Sequence, residues 1–253
     1  MTMEAYVRSE TDAQGICWLT FFHPASNSLP SSILSELAAA IDVAGQHQDV
    51  RVIVVRSAGD RAFCAGASFD ELMAISNKQE GLVFFSGFAS VINAIRKCPK
   101  FVIGRVQGKA VGGGVGLASA VDHCLATKHA AVKLSELAVG IGPFVVGPAV
   151  ERKMGTSGMG MLAVDARSWK SAEWAAEQGL YAEVFETIEE LDQAVLRLAK
   201  DLAQSNPEAM ANLKRVLWDG TDHWDDLLAE RAAISGELVL SEFTRTAIAA
   251  FKS

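Results

Sequence analysis

The sequence predicts an α/β protein, with a mixed core over residues 1–190 followed by a helical C-terminal region over residues 191–253. Three observations carry this. Strand, helix and strand patterns follow one another over residues 16–22, 30–45 and 50–56, the alternation that marks a layered α/β fold. A third apolar strand, residues 101–106, runs toward three consecutive glycines. From Leu191 onward helical periodicity continues and no strand pattern returns.

Each element has its own signal. Residues 16–22 (ICWLTFF) follow a turn at 12–15 and are apolar enough for a strand. The loop 23–30 is rich in Pro, Ser and Asn, and Pro30 then stands near a helix start. Ile33, Leu34, Leu37 and Ile41 fall on one face of that helix, which ends near Gly45. Residues 50–56 (VRVIVVR) form a β-branched run suited to a buried strand. Residues 57–71 leave that strand through a glycine-containing loop. Ser68 and Glu71 have the S-x-x-E spacing of a capping box, which marks Ser68 as an N-cap. Helices are predicted over 82–96, from Leu117, from Pro148 to about Met154, and over 170–178. Strand-like pieces are predicted up to 126, over 131–134 and over 180–185. The C-terminal helices are 191–204, 207–217, 225–235 and 239–252.

Composition narrows the function. The 253 residues are half hydrophobic, so a substantial core is expected. A net charge of −7 argues against a nucleic-acid partner. Cys17, Cys64, Cys98 and Cys124 include no C-x-x-C pair, and the five histidines are scattered, so no metal site is expected. The N-terminus lacks a signal pattern and no apolar run is long enough to span a membrane. The expectation is a soluble cytoplasmic protein without a membrane partner. A G-x-S-x-G elbow and a P-loop are both absent.

Chemistry gathers in two turns and one acid. Ala65, Gly66 and Ala67 precede the N-cap at Ser68, where free N–H groups and the positive end of a helix dipole meet. Gly112, Gly113 and Gly114 suit a backbone that presents its own N–H groups at close range. Glu136 is a lone acid in apolar surroundings, which raise a carboxyl pKa toward that of a general base. Backbone donors and a tuned carboxylate are what enolate chemistry beside a carbonyl requires.

The segments RAFCAGASFDE, VQGKAVGGGVGLASAVD and SELAVGIG, in this order and spacing, resemble the crotonase (enoyl-CoA hydratase/isomerase) superfamily, as does the opening strand–HPASNSL–helix. The resemblance covers nearly the whole chain. It implies a crotonase-like spiral of ββα units, a helical trimerisation region and a homotrimer or hexamer. It also implies an acyl-CoA thioester substrate, with no cofactor beyond the CoA of the substrate. By motif position it makes the Ala67 and Gly113 N–H groups the oxyanion donors and Glu136 the catalytic acid or base. Ala65, Gly66 and Gly112 then shape the thioester site, and Arg61 and Lys100 are candidate CoA contacts.

Two departures bear on the reaction. Hydratases of the family typically carry a first glutamate two residues after the triple glycine, where this chain has Gly116. After Glu136 the chain has GPFVV, similar to the Pro-Phe loop of single-glutamate enoyl-CoA isomerases, which makes Phe144 a wall residue. One carboxylate suffices for a 1,3-proton shift, whereas adding water is shared between two. The expectation is therefore an isomerase-like proton shift on Glu136. A hydratase or dehydratase, a glutaconyl-type CoA decarboxylase and a non-catalytic acyl-CoA-binding protein are the alternatives. Phe84, Phe85 and Phe88 fit either an acyl pocket or core packing.

Overall fold

A computed structural model describes residues 4–250. The chain begins with an antiparallel pair, β1 (Tyr6–Thr11) and β2 (Ile16–Phe22), then α1 (Ser31–Gln46). A repeating ββα pattern follows. β3 (Val52–Ser57) and β4 (Ala62–Cys64) lead into α2 (Phe69–Ala74) and α3 (Lys78–Lys97). β5 (Val102–Val106) and β6 (Lys109–Val111) lead into α4 (Gly113–Ala120). β7 (His123–Thr127) and β8 (Val132–Lys133) lead through a 3₁₀ turn, Glu136–Val139, into α5 (Gly147–Val164). After α6 (Ala172–Glu177) and β9 (Glu183–Phe185) come α7 (Ile188–Ala203), α8 (Pro207–Leu217), α9 (Trp224–Leu238) and α10 (Glu242–Ala250).

Each repeat splits its strands between two sheets. The first strands join a six-stranded sheet of order β1-β2-β3-β5-β7-β9, parallel apart from the β1–β2 pair. The second strands form a three-stranded parallel sheet of order β4-β6-β8. This is the predicted spiral of ββα units. The central strands of the large sheet, β3, β5 and β7, are buried on both faces, as their apolar runs require. Cys17, Ile53, Val55, Val102 and Cys124 face the main core. Their alternates Ile16, Val52, Val54, Ile103 and Leu125 pack against Leu191, Ala194, Val195 and Ala199 of α7.

The structure adds to and corrects several element predictions. β1, β4 and β6 were not among the predicted strands. The helix that opens at Gly147 runs past Met154 to Val164, across a break at Gly155 where φ is +72°. The last helix is described to Ala250, and the predicted end at Lys252 lies outside the described residues. Ser68 does cap α2, its Oγ accepting the Glu71 N–H at 3.3 Å. The reciprocal half of the box is absent. Glu71 Oε2 instead accepts from the Ser31 N–H at 2.9 Å and hydroxyl at 2.7 Å, capping α1 from a distance. The complete capping box is at Thr187–Glu190, at the start of α7. Among the described residues no helix is long and apolar enough to cross a membrane.

Candidate active site

The three-stranded sheet explains why residues far apart in sequence meet. β4, β6 and β8 are parallel neighbours, so their C-terminal ends point the same way. Ligands in open parallel sheets bind beyond such ends. β4 delivers Ala65, Gly66 and Ala67, β6 delivers Gly112 and Gly113, and β8 delivers Glu136. All six line one cavity of about 460 Å³.

The two backbone donors are presented by different means. Behind the first turn stands the loop between β2 and α1. The Ala65 N–H donates to the Asn27 carbonyl at 3.2 Å, the Leu29 N–H to the Gly66 carbonyl at 2.8 Å, and Ser28 Oγ to the Ala67 carbonyl at 2.8 Å. Asn27, itself buried, ties this loop to the Ala58 and Ala62 carbonyls. The second turn depends on Gly112, whose φ of +52° is disfavoured for a residue with a side chain. A Cβ there would also lie 3.0 Å from Glu136 Oε1. A Cβ built on Gly66 would lie 3.9 Å from the Gly113 nitrogen, so the two turns are adjacent. Among the described residues no acceptor takes the Ala67 or the Gly113 N–H. Gly113 opens α4 and Ala67 immediately precedes the cap of α2. Both free donors therefore sit at positive helix ends.

Glu136 opens the 3₁₀ turn and is half-buried because it lines the cavity. Its Oε2 is fully buried and has no hydrogen-bond partner. Burial disfavours the charged form and raises its pKa to about 7, a rise only partly offset by the residue's own backbone N–H. Val139, Ile141, Phe144 and Val146 supply apolar wall around it.

Gly116 is not an open vacancy. A Cβ at this position would lie 2.4 Å from Val146 Cγ1 and 2.6 Å from Val146 Cβ. The valine of the GPFVV loop thus occupies the direction in which a side chain at position 116 would leave the backbone. A glycine on α4 and a buried valine at the foot of α5 are complementary shapes.

The other predicted residues divide. Phe144 lines the cavity, as do Phe84, Phe85 and Phe88 from α3. Arg61 is exposed and lies outside the cavity wall. Lys100 also lies outside it, and its ammonium donates to the Val50 carbonyl at 2.8 Å. Several wall residues escaped the sequence reading: Phe69 and Leu72 on α2, Ser235 on α9, and the cations Lys133 and Arg167. Lys133 is three residues before Glu136 and its Nζ stands 5.5 Å from the Trp169 ring centre. Its nearness to the acid was the available signal, whereas Ser235 reaches the site only through the packing of α9 on α3. Cys64 adjoins the first turn, but complete burial pushes its thiol up to about 12, so thiolate chemistry is not available there.

A sequence profile described as enoyl-CoA hydratase/isomerase matches residues 11–244. Human mitochondrial methylglutaconyl-CoA hydratase is 33% identical over 200 residues, 78% of this chain and 58% of that protein. The peroxisomal Delta(3,5)-Delta(2,4)-dienoyl-CoA isomerase of Arabidopsis thaliana is 29% identical over 238 residues, covering 86% and 84% of the two chains. In three dimensions, enoyl-CoA hydratase from Bacillus halodurans superposes with a TM-score of 0.89, covering 97% of this chain and 99% of that one at 20% identity, a likeness of fold. An enoyl-CoA hydratase/isomerase from Xanthobacter autotrophicus gives 0.82 over 96% of each chain at 25% identity. With backbone donors and a buried glutamate gathered at the ends of one parallel sheet, and a profile spanning nearly the whole sequence, the chain belongs to the enoyl-CoA hydratase/isomerase family.

Proposed function

We propose that this enzyme moves a double bond within an enoyl-CoA thioester by a proton shift on the single acid Glu136. The observation that carries this reading is the Gly116–Val146 packing, which leaves no room for a second carboxylate at position 116 of α4. Relatives include both hydratases and an isomerase, so family membership alone does not choose between adding water and moving a proton.

In the proposed cycle the thioester oxygen accepts hydrogen bonds from the Ala67 and Gly113 N–H groups. Carboxylate Glu136 removes a proton from C2 of a 3-enoyl-CoA. The C2–H electron pair forms the C1=C2 bond as the carbonyl π pair moves onto the thioester oxygen, giving a dienolate whose oxygen is held by the two N–H groups and whose 3,4 double bond is still in place. In the second step the oxygen pair reforms the carbonyl, the C1=C2 pair becomes the C2=C3 double bond, and the 3,4 π pair takes the proton at C4. Protonation at C4 by the carboxyl of Glu136 returns the base and leaves a 2-enoyl-CoA. Loss of one donor of this kind typically costs ~3 kcal/mol of barrier. Gly66 and Gly112 hold the donors in place, Ala65 and Phe144 bound the acyl end, and Lys133 and Arg167 suit the anionic CoA portion. A homotrimer or hexamer, a cytoplasmic location, and the division at residue 190 belong to the same reading.

The test compares 3-enoyl-CoA with 2-enoyl-CoA as substrates. Isomerisation of the former is expected, and exclusive hydration of the latter defeats the proposal. Glu136→Gln is expected to abolish turnover while acyl-CoA binding persists. Full activity in that variant removes Glu136 from the mechanism.

A further inference from the structure

We propose that Phe84 is the stopper that sets the acyl-chain length this site accepts, and that a longer hydrocarbon tail could pass it only into a second groove on the far side of its ring. The inference rests on the acyl-CoA reading above and adds a specificity residue to it. The site cavity and a separate groove of about 430 Å³ share one residue, Phe84. That groove lies between the C-terminal end of α2 and the first turns of α3. Ala74, Ile75 and Val83 give it an apolar lining beside Phe84. Its two carboxylates are already engaged. Glu71 accepts from both polar groups of Ser31, and Glu80 accepts from the Ser76 N–H at 2.8 Å and hydroxyl at 2.9 Å. They anchor the rim, leaving the lining between them suited to hydrocarbon.

Phe84 is 7% exposed although it separates two spaces. The neighbouring Phe85 ring holds it edge-to-face, with centroids 5.0 Å apart and planes at 89°. Phe88, Phe85 and Phe84 of α3 all line the cavity, so a tail laid along that helix leads from the Gly113 donor to this ring. Phe88 packs against Gly113, where a Cβ would lie 2.3 Å from its ring. Phe84 is four residues earlier on the same helix, about 6 Å back along its axis. An extended chain advances about 1.2 Å per bond, taking the backbone's reach as the guide, so about five bonds lie between the oxyanion donor and the stopper. The structure thus points to acyl groups of about six carbons as the length at which the tail first meets Phe84.

The experiment measures binding of saturated straight-chain acyl-CoAs from butanoyl to dodecanoyl, with free CoA as the reference. Saturated chains separate chain length from the choice of reaction. In the wild type, affinity is expected to rise by about fourfold per methylene and then stop rising near six carbons. In Phe84→Ala it continues to rise toward dodecanoyl-CoA. Adding Val83→Trp, at a position 59% exposed, refills the groove and restores the break. Should Phe84→Ala not fold, Phe84→Leu keeps an apolar side chain in place and is expected to move the break in the same direction by a smaller amount. An unbroken rise in the wild type, or an unmoved break in a folded Phe84 variant, overturns the stopper. Acyl-CoAs that bind no better than free CoA overturn the acyl-CoA reading itself.

Discussion

At the scale of single residues, the site depends on a carboxylate placed where it is uncomfortable. Glu136 titrates near pH 7 because burial disfavours its charge, against an ordinary value of 4.5. In the proposed proton shift Glu136 must be ionised to act as the base, so kcat/KM is expected to fall as pH drops through about 7. Stability moves the other way. The folded pKa lies above the unfolded one, so the folded state binds the proton more tightly. Stability is therefore fully present below the unfolded value and is lost as pH rises through the folded one, by on the order of 3 kcal/mol. Glu136→Gln is thus expected to be inactive yet more stable than the wild type at pH 8, and equal to it at pH 4, as read by urea unfolding. A variant less stable at pH 8 refutes the buried-charge account. Gly116 gives a second residue-scale expectation. Gly116→Glu collides with Val146, so it should cost about 1–3 kcal/mol as an overpacked core site. Pairing it with Val146→Gly should recover part of that loss, a coupling that a double-mutant cycle measures directly.

Elements matter here through what clamps the acid's turn. The 3₁₀ turn closes with the Ile141 N–H donating to the Glu136 carbonyl at 3.0 Å. Gly140 ends it in the left-handed region, at φ +82°. α10 docks onto that glycine. Thr244, fully buried, donates from Oγ1 to the Gly140 carbonyl at 3.2 Å, and Phe243 lies alongside. A Cβ on Gly140 would stand 2.5 Å from Phe243 Cδ1 and 2.6 Å from Thr244 Oγ1. Gly140→Ala therefore combines backbone strain with displacement of α10, and is expected to cost about 1–3 kcal/mol. Its kcat should fall more than its KM changes, because the turn carrying Glu136, the proposed base, is what moves. A variant with unchanged kcat in its folded fraction would mean that α10 does not position Glu136. This clamp was not readable from sequence. Residues 139 and 141 are ordinary apolar positions, and only packing across about a hundred residues brings Thr244 to the turn. By contrast α1, with Ile33, Leu34, Leu37 and Ile41 on one buried face, was legible because its burial follows its own periodicity. β1 was not, since most of YVRSET is exposed at a sheet edge and lacks alternation. β4 and β6, three residues each, are too short to display a period.

The whole molecule separates scaffold from site. The large sheet, sandwiched between the main core and α7, carries no side chain of the cavity, whereas the small sheet's ends carry the donors and the acid. That division accounts for what could be read beforehand. The turns and Glu136 are local motifs, so they were visible in sequence, but their convergence required the β4-β6-β8 pairing. Lys100 shows the opposite case: a cation in a suggestive sequence position is engaged by the scaffold. Its carbonyl accepts from Lys214 Nζ at 2.7 Å, and the same ammonium pairs with Asp122 Oδ2 at 2.9 Å, both side chains nearly fully buried. Asp122 also accepts the Val102 N–H and the Trp218 indole N–H, each at 2.8 Å. This cluster joins α8 and the residue that follows it to the sheet at β5, so the helical C-terminal region is held to the core by a buried charge as well as by apolar contact. Removing one member of such a pair leaves the other charge uncompensated, which costs more than the pair itself contributes. Lys214→Met, close in volume and without the charge, is expected to lower stability by about 3 kcal/mol. Because the cluster belongs to the scaffold, kcat/KM per folded molecule should be unchanged at temperatures below the shifted melting point. Thermal unfolding and steady-state kinetics on the same preparation test both halves. A drop in kcat/KM without loss of stability would place Lys214 in the service of the site and erase the proposed separation.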